Sequence, residues 1–301
     1  MKICLLSNDT YLWEFNLRSW ATKYFNHYGI FFTNKIELAD IGIITNINQL
    51  GNFSKPILYL LSIDSLVLTP DRGSRILLDD RITTIYCRYS YRNNYKTING
   101  RLSNIDNRFI KKFCVGGGLL YAPELFETTK YYYPYKRIYD VNYIYRADYP
   151  FDFVNVNKLL CLTGIPKNIC SFIFQGSYSG IRLPFPDYIK SILQSKITIS
   201  SLGTCEDSHR DWIALLCGSI LIKPNIDYFE TFPDIYNNNH YIPCKHDYSD
   251  LPDKIHYVLE NYEEIYEQMG HRQARLFELQ NRKTLAKLYI KSFYETLRSR
   301  I

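Results

Sequence analysis

The chain has 301 residues, 46% of them hydrophobic and 16% aromatic, enough to bury a large core and to form two domains, which excludes a disordered chain. Its 36 Lys and Arg against 30 Asp and Glu leave a net charge of +6 spread along the sequence, a balance that suits anionic small ligands or nucleic acid without choosing between them. Eight Cys lie without a C-x-x-C pair, several inside apolar runs, so they read as reduced core residues rather than a disulfide framework.

Lys2 to Ser7 reads as a buried strand ending at Asn8-Asp9, and residues 12 to 25 repeat apolar side chains at helical intervals. The apolar start is too short for a signal peptide, and no run approaches a membrane span, so a cytosolic protein without a membrane segment is expected. Ile30 to Phe32, Ile41 to Ile44 and Pro56 to Leu61 are further strands, the last ending near Asp64. Alternating strands and helices predict a parallel sheet covered by helices. Ser74 to Leu78 and Ile82 to Cys87 extend it, and Ile105 to Phe113 reads as a short helix. Gly116-Gly117-Gly118 is the strongest breaker in the sequence. It reads as the start of a linker over residues 116–135 between an N-terminal domain, 1–115, and a C-terminal domain, 136–280; a phosphate cradle is the competing reading.

Ile138 to Tyr145 opens the second half, with a helix near Phe153 to Leu162 and a strand at Ser171 to Phe174. The turn Gln175-Gly176-Ser177-Tyr178-Ser179-Gly180 then leads to Arg182, and Asp187 to Gln194 is a helix. Ile197 to Ser201 is a β-branched strand that breaks at Leu202-Gly203-Thr204. Asp207 and Ser208 offer caps to a helix bearing Trp212, Ile213, Leu215 and Leu216 and closed by Gly218. Ser219 to Ile222 is the next strand, stopped by Lys223-Pro224. In such a strand, glycine turn, helix, strand unit the helix start carries unpaired N–H groups and partial positive charge, which attract phosphate. Ser208, His209 and Arg210 crowd that end, Arg210 with a planar fork of donors. Ser208 could cap the helix or donate to a ligand oxygen, and a capped surface helix with an incidental Arg is the competing reading.

Four runs occur in order over residues 197–251: Ser208-His209-Arg210; Leu215-Leu216-Cys217-Gly218-Ser219; His240-Tyr241-Ile242-Pro243-Cys244-Lys245; and Asp247-Tyr248-Ser249-Asp250-Leu251. Together they resemble the C-terminal signature of glycosyltransferase family 90, which contains capsule-associated xylosyltransferases and protein O-glucosyltransferases. The resemblance implies a GT-B-like α/β fold, two Rossmann-like domains facing a cleft, with nucleotide-sugar held by the C-terminal half and acceptor by the other. It implies a UDP-sugar donor, with xylose or glucose favoured, and a glycan or protein hydroxyl as acceptor. Secretory members usually carry a leader, so a cytoplasmic protein of viral or bacterial origin is expected here.

Ligands in open α/β sheets sit beyond the carboxyl ends of the strands. Candidate donor-binding residues are therefore Arg146, Gly176, Ser177, Arg182, Ser201, Gly203, Thr204, Ser208, His209 and Arg210. Transfer needs positive charge on the leaving diphosphate and a base for the acceptor hydroxyl. The family places an Asp in a "Pro-Asp…Asn-x-Arg-Asp" run; the corresponding stretch here, Leu38 to Asn48, puts Asn48 or Gln49 there. Asp9 and Asp64, on loops after strands, are the remaining candidates. Where retaining members of this architecture keep a Glu, this helix has Ile213 and Ala214, which favours inversion. No cluster has metal-ligand spacing, His240, Cys244 and His246 reading as ligand-loop residues, so neither metal nor cofactor is expected.

After Asp250, residues 251–259, 262–279 and 284–297 have helical periodicity; the resemblance implies a final helix, 281–301, that crosses back onto the first domain, a plain helical cap being the competing reading. The competing class is a nucleic-acid-binding or structural α/β protein, for which Arg88-Tyr89-Ser90-Tyr91-Arg92 mixes basic and aromatic residues as a single-strand groove would. The basic residues form no continuous patch in sequence, so no nucleic-acid partner is expected.

Overall fold

The structure is a computed structural model, and it describes residues 1–5, 26, 29–44, 47–51, 53–61, 79–87, 89–91, 113–115, 136–146, 169–174, 183–201, 208–231, 234–236, 240–269, 291, 295 and 298. The chain divides into two compact units, residues 1–123, 228–234 and 279–301 forming one and residues 124–227 and 235–278 the other.

The first unit is built on a parallel sheet of β1 (Lys2–Leu5), β2 (Phe31–Thr33), β3 (Ile41–Ile44), β4 (Ile57–Leu61), β5 (Ile82–Cys87) and β7 (Phe113–Val115), in the order β2-β1-β3-β4-β5-β7. All four residues of β3 are buried, the continuous apolar run of a parallel strand covered on both faces. Ile3, Cys4, Ile57 and Ile82 pack in the same core. Phe113 opens a strand instead of ending a helix, because it pairs with Ile85 of β5; residues 105–112 lie outside the described residues, as do the expected strand at 74–78, the triple glycine and the helix at 153–162. A separate antiparallel pair joins β6 (Tyr89–Tyr91) to β12 (Phe229–Thr231), so the middle of the basic and aromatic stretch lies in a ladder.

The second unit carries a parallel sheet of β8 (Tyr139–Arg146), β9 (Ile169–Phe174), β10 (Ser195–Ile199), β11 (Ile220–Pro224) and β13 (Ile242–Cys244), in the order β13-β11-β10-β8-β9. Three helices belong to it: α1 (Phe185–Leu193), α2 (His209–Leu216) and α3 (Leu251–Glu260), with residues 262–269 also helical. Period-two alternation divides the faces. Val141, Tyr143, Ile197, Ile199, Ile220 and Ile222 form one core with Leu251, Ile255 and Val258 of α3. Their alternates meet the other helices: Asn142 donates to Ser191 of α1 at 3.1 Å, and Lys223 pairs with Asp211 of α2 at 3.2 Å. Lys223 and Pro224 are therefore the last residues of β11 and do not stop it short, since Lys223 finds a carboxylate inside the core.

In both sheets the second strand lies outside the first while the third lies on its other side, so strand order reverses between β1 and β3 and between β8 and β10. Lys291 and Glu295 of the first unit, each helical, form an exposed i,i+4 pair at 3.8 Å. Among the described residues no helix is long and apolar enough to cross a membrane.

Candidate functional site

In an open parallel sheet the crevice for a ligand lies beyond the carboxyl ends of the strands where their order reverses. In the second unit that point lies between β8, which ends at Arg146, and β10, after which come Ser200 and Ser201. The next strand in the sheet, β11, ends at Lys223-Pro224. Ser200 is tied down by its amide, which donates to Ile222 O at 3.0 Å. Its hydroxyl is buried and has no hydrogen-bond partner among the described residues.

After β10, α2 starts at the N-cap Ser208. Ser208 Oγ accepts from the Arg210 amide at 3.2 Å, and Asp211 Oδ2 accepts from the Ser208 amide at 3.2 Å, a capping box. Of the two roles open to Ser208, its oxygen performs the cap. Two of the amides at the helix start are thereby satisfied from within the chain, leaving charged side chains as the main means of holding an anion there.

Asp211 is the hub of this corner. Its Oδ2 also accepts from the Tyr236 hydroxyl at 2.6 Å and faces Lys223 Nζ at 3.2 Å, with both charged side chains 0% exposed. Taking two charges out of water costs several kcal/mol per ion, and the mutual attraction offsets this only with good geometry. The hydroxyl and amide donated to the same oxygen supply part of that geometry, while Asp211 Oδ1 and Lys223 Nζ have no hydrogen-bond partner among the described residues.

Arg210 is the neighbouring cation and is placed differently. It remains partly exposed, and its Nε is buried without a hydrogen-bond partner among the described residues. Its guanidinium lies beside the Tyr188 phenol of α1, whose ionisation is pushed up by burial and opposed by the charge of Arg210. The exposed part of that guanidinium, at the carboxyl edge of a parallel sheet, offers positive charge to an oxyanion.

The remaining sequence candidates divide sharply. His209 is the first residue of α2 and Arg146 the last of β8. Ser201 directly follows the buried Ser200 and is half-buried. Asp9, Asp64, Gly176, Ser177, Arg182, Gly203 and Thr204 lie outside the described residues. Asn48 is exposed and Gln49 half-buried, both in a 3-10 turn at Ile47–Leu50. Cys244 is buried, and its thiol is pushed up to about 12 by burial and by the charge of Asp250. Among the described residues no group of three or more His, Cys, Asp and Glu is placed to hold a metal ion.

Tyr241, Tyr248 and Asp250 of the 240–251 motifs hold the local chain in place. The Tyr241 hydroxyl accepts from the Ile226 amide at 3.1 Å, pinning the chain after β11. Asp250 Oδ1 accepts from the Lys245 amide at 2.7 Å, closing the turn before α3. Tyr248 holds φ 58 in that turn, the left-handed region, with its ring buried in the core. Sequence reasoning missed Asp211, Lys223 and Tyr236. Two signals pointed to them: Ser208-x-x-Asp211 is a capping-box pattern, and Lys223 directly continues an apolar strand.

No protein-family model matches the chain, and no curated protein matches it in sequence. Among solved structures it is similar to Anabaena HepE in complex with UDP-glucose, with TM-score 0.51 and 12% identity over 99% of this chain and 100% of that one. It is also similar to a point mutant of S. aureus TarM in complex with fondaparinux, alpha-GlcNAc-glycerol and UDP, with TM-score 0.50 and 12% identity over 85% of this chain and 54% of that one. The chain thus spans about half the length of TarM. The fold is GT-B-like.

Proposed function

We propose that the chain is a glycosyltransferase that moves a sugar from a UDP-sugar to a hydroxyl of a glycan or protein. The observation that carries this reading is the end-to-end likeness to HepE, whose structure holds UDP-glucose. Arg210, with its unused donor beside the switch point of the second sheet, supports it from this chain's own residues. In this reading Arg210 and the start of α2 hold the leaving diphosphate, with Arg146 and Arg182 as further clamps. Gly176-Ser177 and Gly203-Thr204, read as turns from their sequence, and Ser201 let the backbone approach the nucleotide. Asp9 or Asp64, each after a strand of the first sheet, takes the proton of the attacking hydroxyl. The bond formed joins that oxygen to the anomeric carbon, the bond broken is to the diphosphate oxygen, and the positive side chains stabilise the charge that develops there.

Xylose or glucose as the transferred sugar rests on the resemblance of residues 197–251 to glycosyltransferase family 90. Inversion rests on Ile213 and Ala214 occupying the helix where a retaining enzyme keeps its Glu. A metal-independent reaction completes the proposal.

Thermal denaturation with millimolar UDP, UDP-glucose, UDP-xylose or an oligonucleotide tests it, because a ligand that binds only the folded state raises the melting temperature. A rise with UDP and its sugars is expected. A rise with the oligonucleotide alone would overturn the reading in favour of nucleic-acid binding. Chelation of divalent ions is expected to leave turnover unchanged, and the anomeric configuration of the product decides between inversion and retention.

A further inference from the structure

We propose that Asp211, Lys223 and Tyr236 form a positioning unit that fixes the first turn of α2 and hence aims Arg210 at the donor diphosphate. The inference rests on the donor-binding reading above and deepens it.

Three segments of chain converge on one carboxylate. Asp211 belongs to the first turn of α2, Lys223 ends β11, and Tyr236 lies where the chain returns after β12. Between Lys223 and Tyr236 the chain runs through residues 228–234, which belong to the first unit. Asp211 therefore holds the residues that bracket this excursion, through the 3.2 Å pair to Lys223 and the 2.6 Å bond from Tyr236. The same oxygen closes the capping box on Ser208, whose hydroxyl in turn accepts from the Arg210 amide. Arg210 is thus one covalent step from the hub and one hydrogen bond from its cap.

Stability alone does not account for a fully buried Asp–Lys pair. Replacing such a pair by apolar residues of similar volume is often neutral or stabilising, while removing one partner is strongly destabilising. Among the described residues, the buried positions on the same face of the sheet are otherwise uncharged, Ile144 and Leu221 being apolar and Asn142 and Thr198 neutral and polar. A pair of buried charges at the carboxyl edge, beside the switch point, supplies fixed geometry instead. Asp211 cannot swing without leaving Lys223 unpaired in the core.

The test separates geometry from stability in the full chain. The double variant Asp211→Asn with Lys223→Met removes both charges and keeps an oxygen for Ser208 and Tyr236; Tyr236→Phe removes only the hydroxyl. For each, UDP affinity is measured by calorimetry well below the melting temperature, and the Michaelis constants for donor and acceptor are measured separately. The double variant is expected to melt near the wild-type temperature while binding UDP roughly tenfold more weakly, the loss of about one hydrogen bond to a charged group. The acceptor constant is expected to stay unchanged. Tyr236→Phe is expected to weaken UDP binding in the same direction, and it decides the matter if the double variant does not fold. Wild-type affinity in either folded variant, whatever its melting temperature, would make the unit scaffold only and overturn the inference while leaving the donor-binding reading intact. Absence of UDP binding by the wild type would remove that reading and this inference with it.

Discussion

Arg137 and Cys217 are separated by 80 positions in the sequence, yet Arg137 Nη2 donates to the Cys217 carbonyl at 2.8 Å. The same nitrogen reaches Gly218 O at 2.9 Å, while Nη1 is shared among the carbonyls of Ile192, Leu193 and Ser195. One guanidinium therefore serves the open carbonyl ends of both α1 and α2, with favourable charge at two helix C-termini. Arg137→Met is expected to destabilise the protein by about 3–5 kcal/mol, because it strands several part-buried carbonyls at once. Arg137→Lys recovers little, since an ammonium cannot span both helix ends. The midpoint of urea unfolding checks both; a shift below about 1 kcal/mol for Arg137→Met would remove the staple from the account of stability.

Gly218 ends α2 in a Schellman arrangement. Its φ is 65, its amide donates to Leu215 O at 3.1 Å, and the Ser219 amide donates to Ala214 O at 2.9 Å. A side chain at that φ is strained, so Gly218→Ala is expected to cost about 1 kcal/mol. Thermal or urea unfolding reads the loss, and an unchanged midpoint would show that the turn relaxes freely.

Two buried thiols contribute to an alkaline limit, together with the buried phenols of Tyr241 and Tyr262, which burial also pushes up. Burial pushes Cys217 from its ordinary 9.0 up to about 12 against the pull of Arg137, and burial pushes Cys244 from 9.0 up to about 12. Below pH 9.0 folded and unfolded chains both keep these protons, so the thiols leave stability unchanged there. Above it the unfolded chain releases them first, the folded state binds more protons, and stability falls as pH rises towards 12. The slope is expected to reach about 1 kcal/mol per thiol per pH unit. Urea midpoints from pH 8 to 11 follow it, roughly spanning the window where only the unfolded thiols ionise. The Cys217→Ala, Cys244→Ala double variant should flatten the fall; an equal slope in wild type and variant would place the alkaline limit elsewhere.

What could be read in advance follows the range of the interactions. α3 was legible because Leu251, Ile255 and Val258 recur at helical spacing and all three are buried. The start of α2 was legible because Ser208, a capping residue, stands directly before the apolar periodic run, and caps are local. The β6–β12 pair was not, because each strand is only 3 residues long, too short for a period, and Tyr91 finds Phe229 far along the chain. Phe113 looked helical for the same reason, its strand being defined by a partner, Ile85, and not by its own neighbours. Lys223 looked like a stop because a lone lysine in an apolar run is costly, and only the fold brings Asp211 to it.

Arg210 is the residue on which the donor-binding reading turns. Its Nε is buried without a hydrogen-bond partner among the described residues, its guanidinium hydrogen-bonds the Tyr188 phenol, and part of the side chain stays exposed towards the carboxyl edge of the sheet. Arg210→Ala removes a half-buried side chain and is expected to lower the melting temperature by a few degrees, roughly 1 kcal/mol, while leaving the protein folded. Donor turnover is expected to fall about 10²–10³-fold, the usual effect of removing one preorganised donor from a developing oxyanion. Arg210→Lys should regain charge but not the planar fork, and so restore only part of the loss. Steady-state rates with UDP-glucose and UDP-xylose, alongside UDP affinity for each variant, separate weaker binding from a slower chemical step. Turnover close to wild type in folded Arg210→Ala would mean that the diphosphate is held elsewhere, and would move the search to Arg146 at the end of β8.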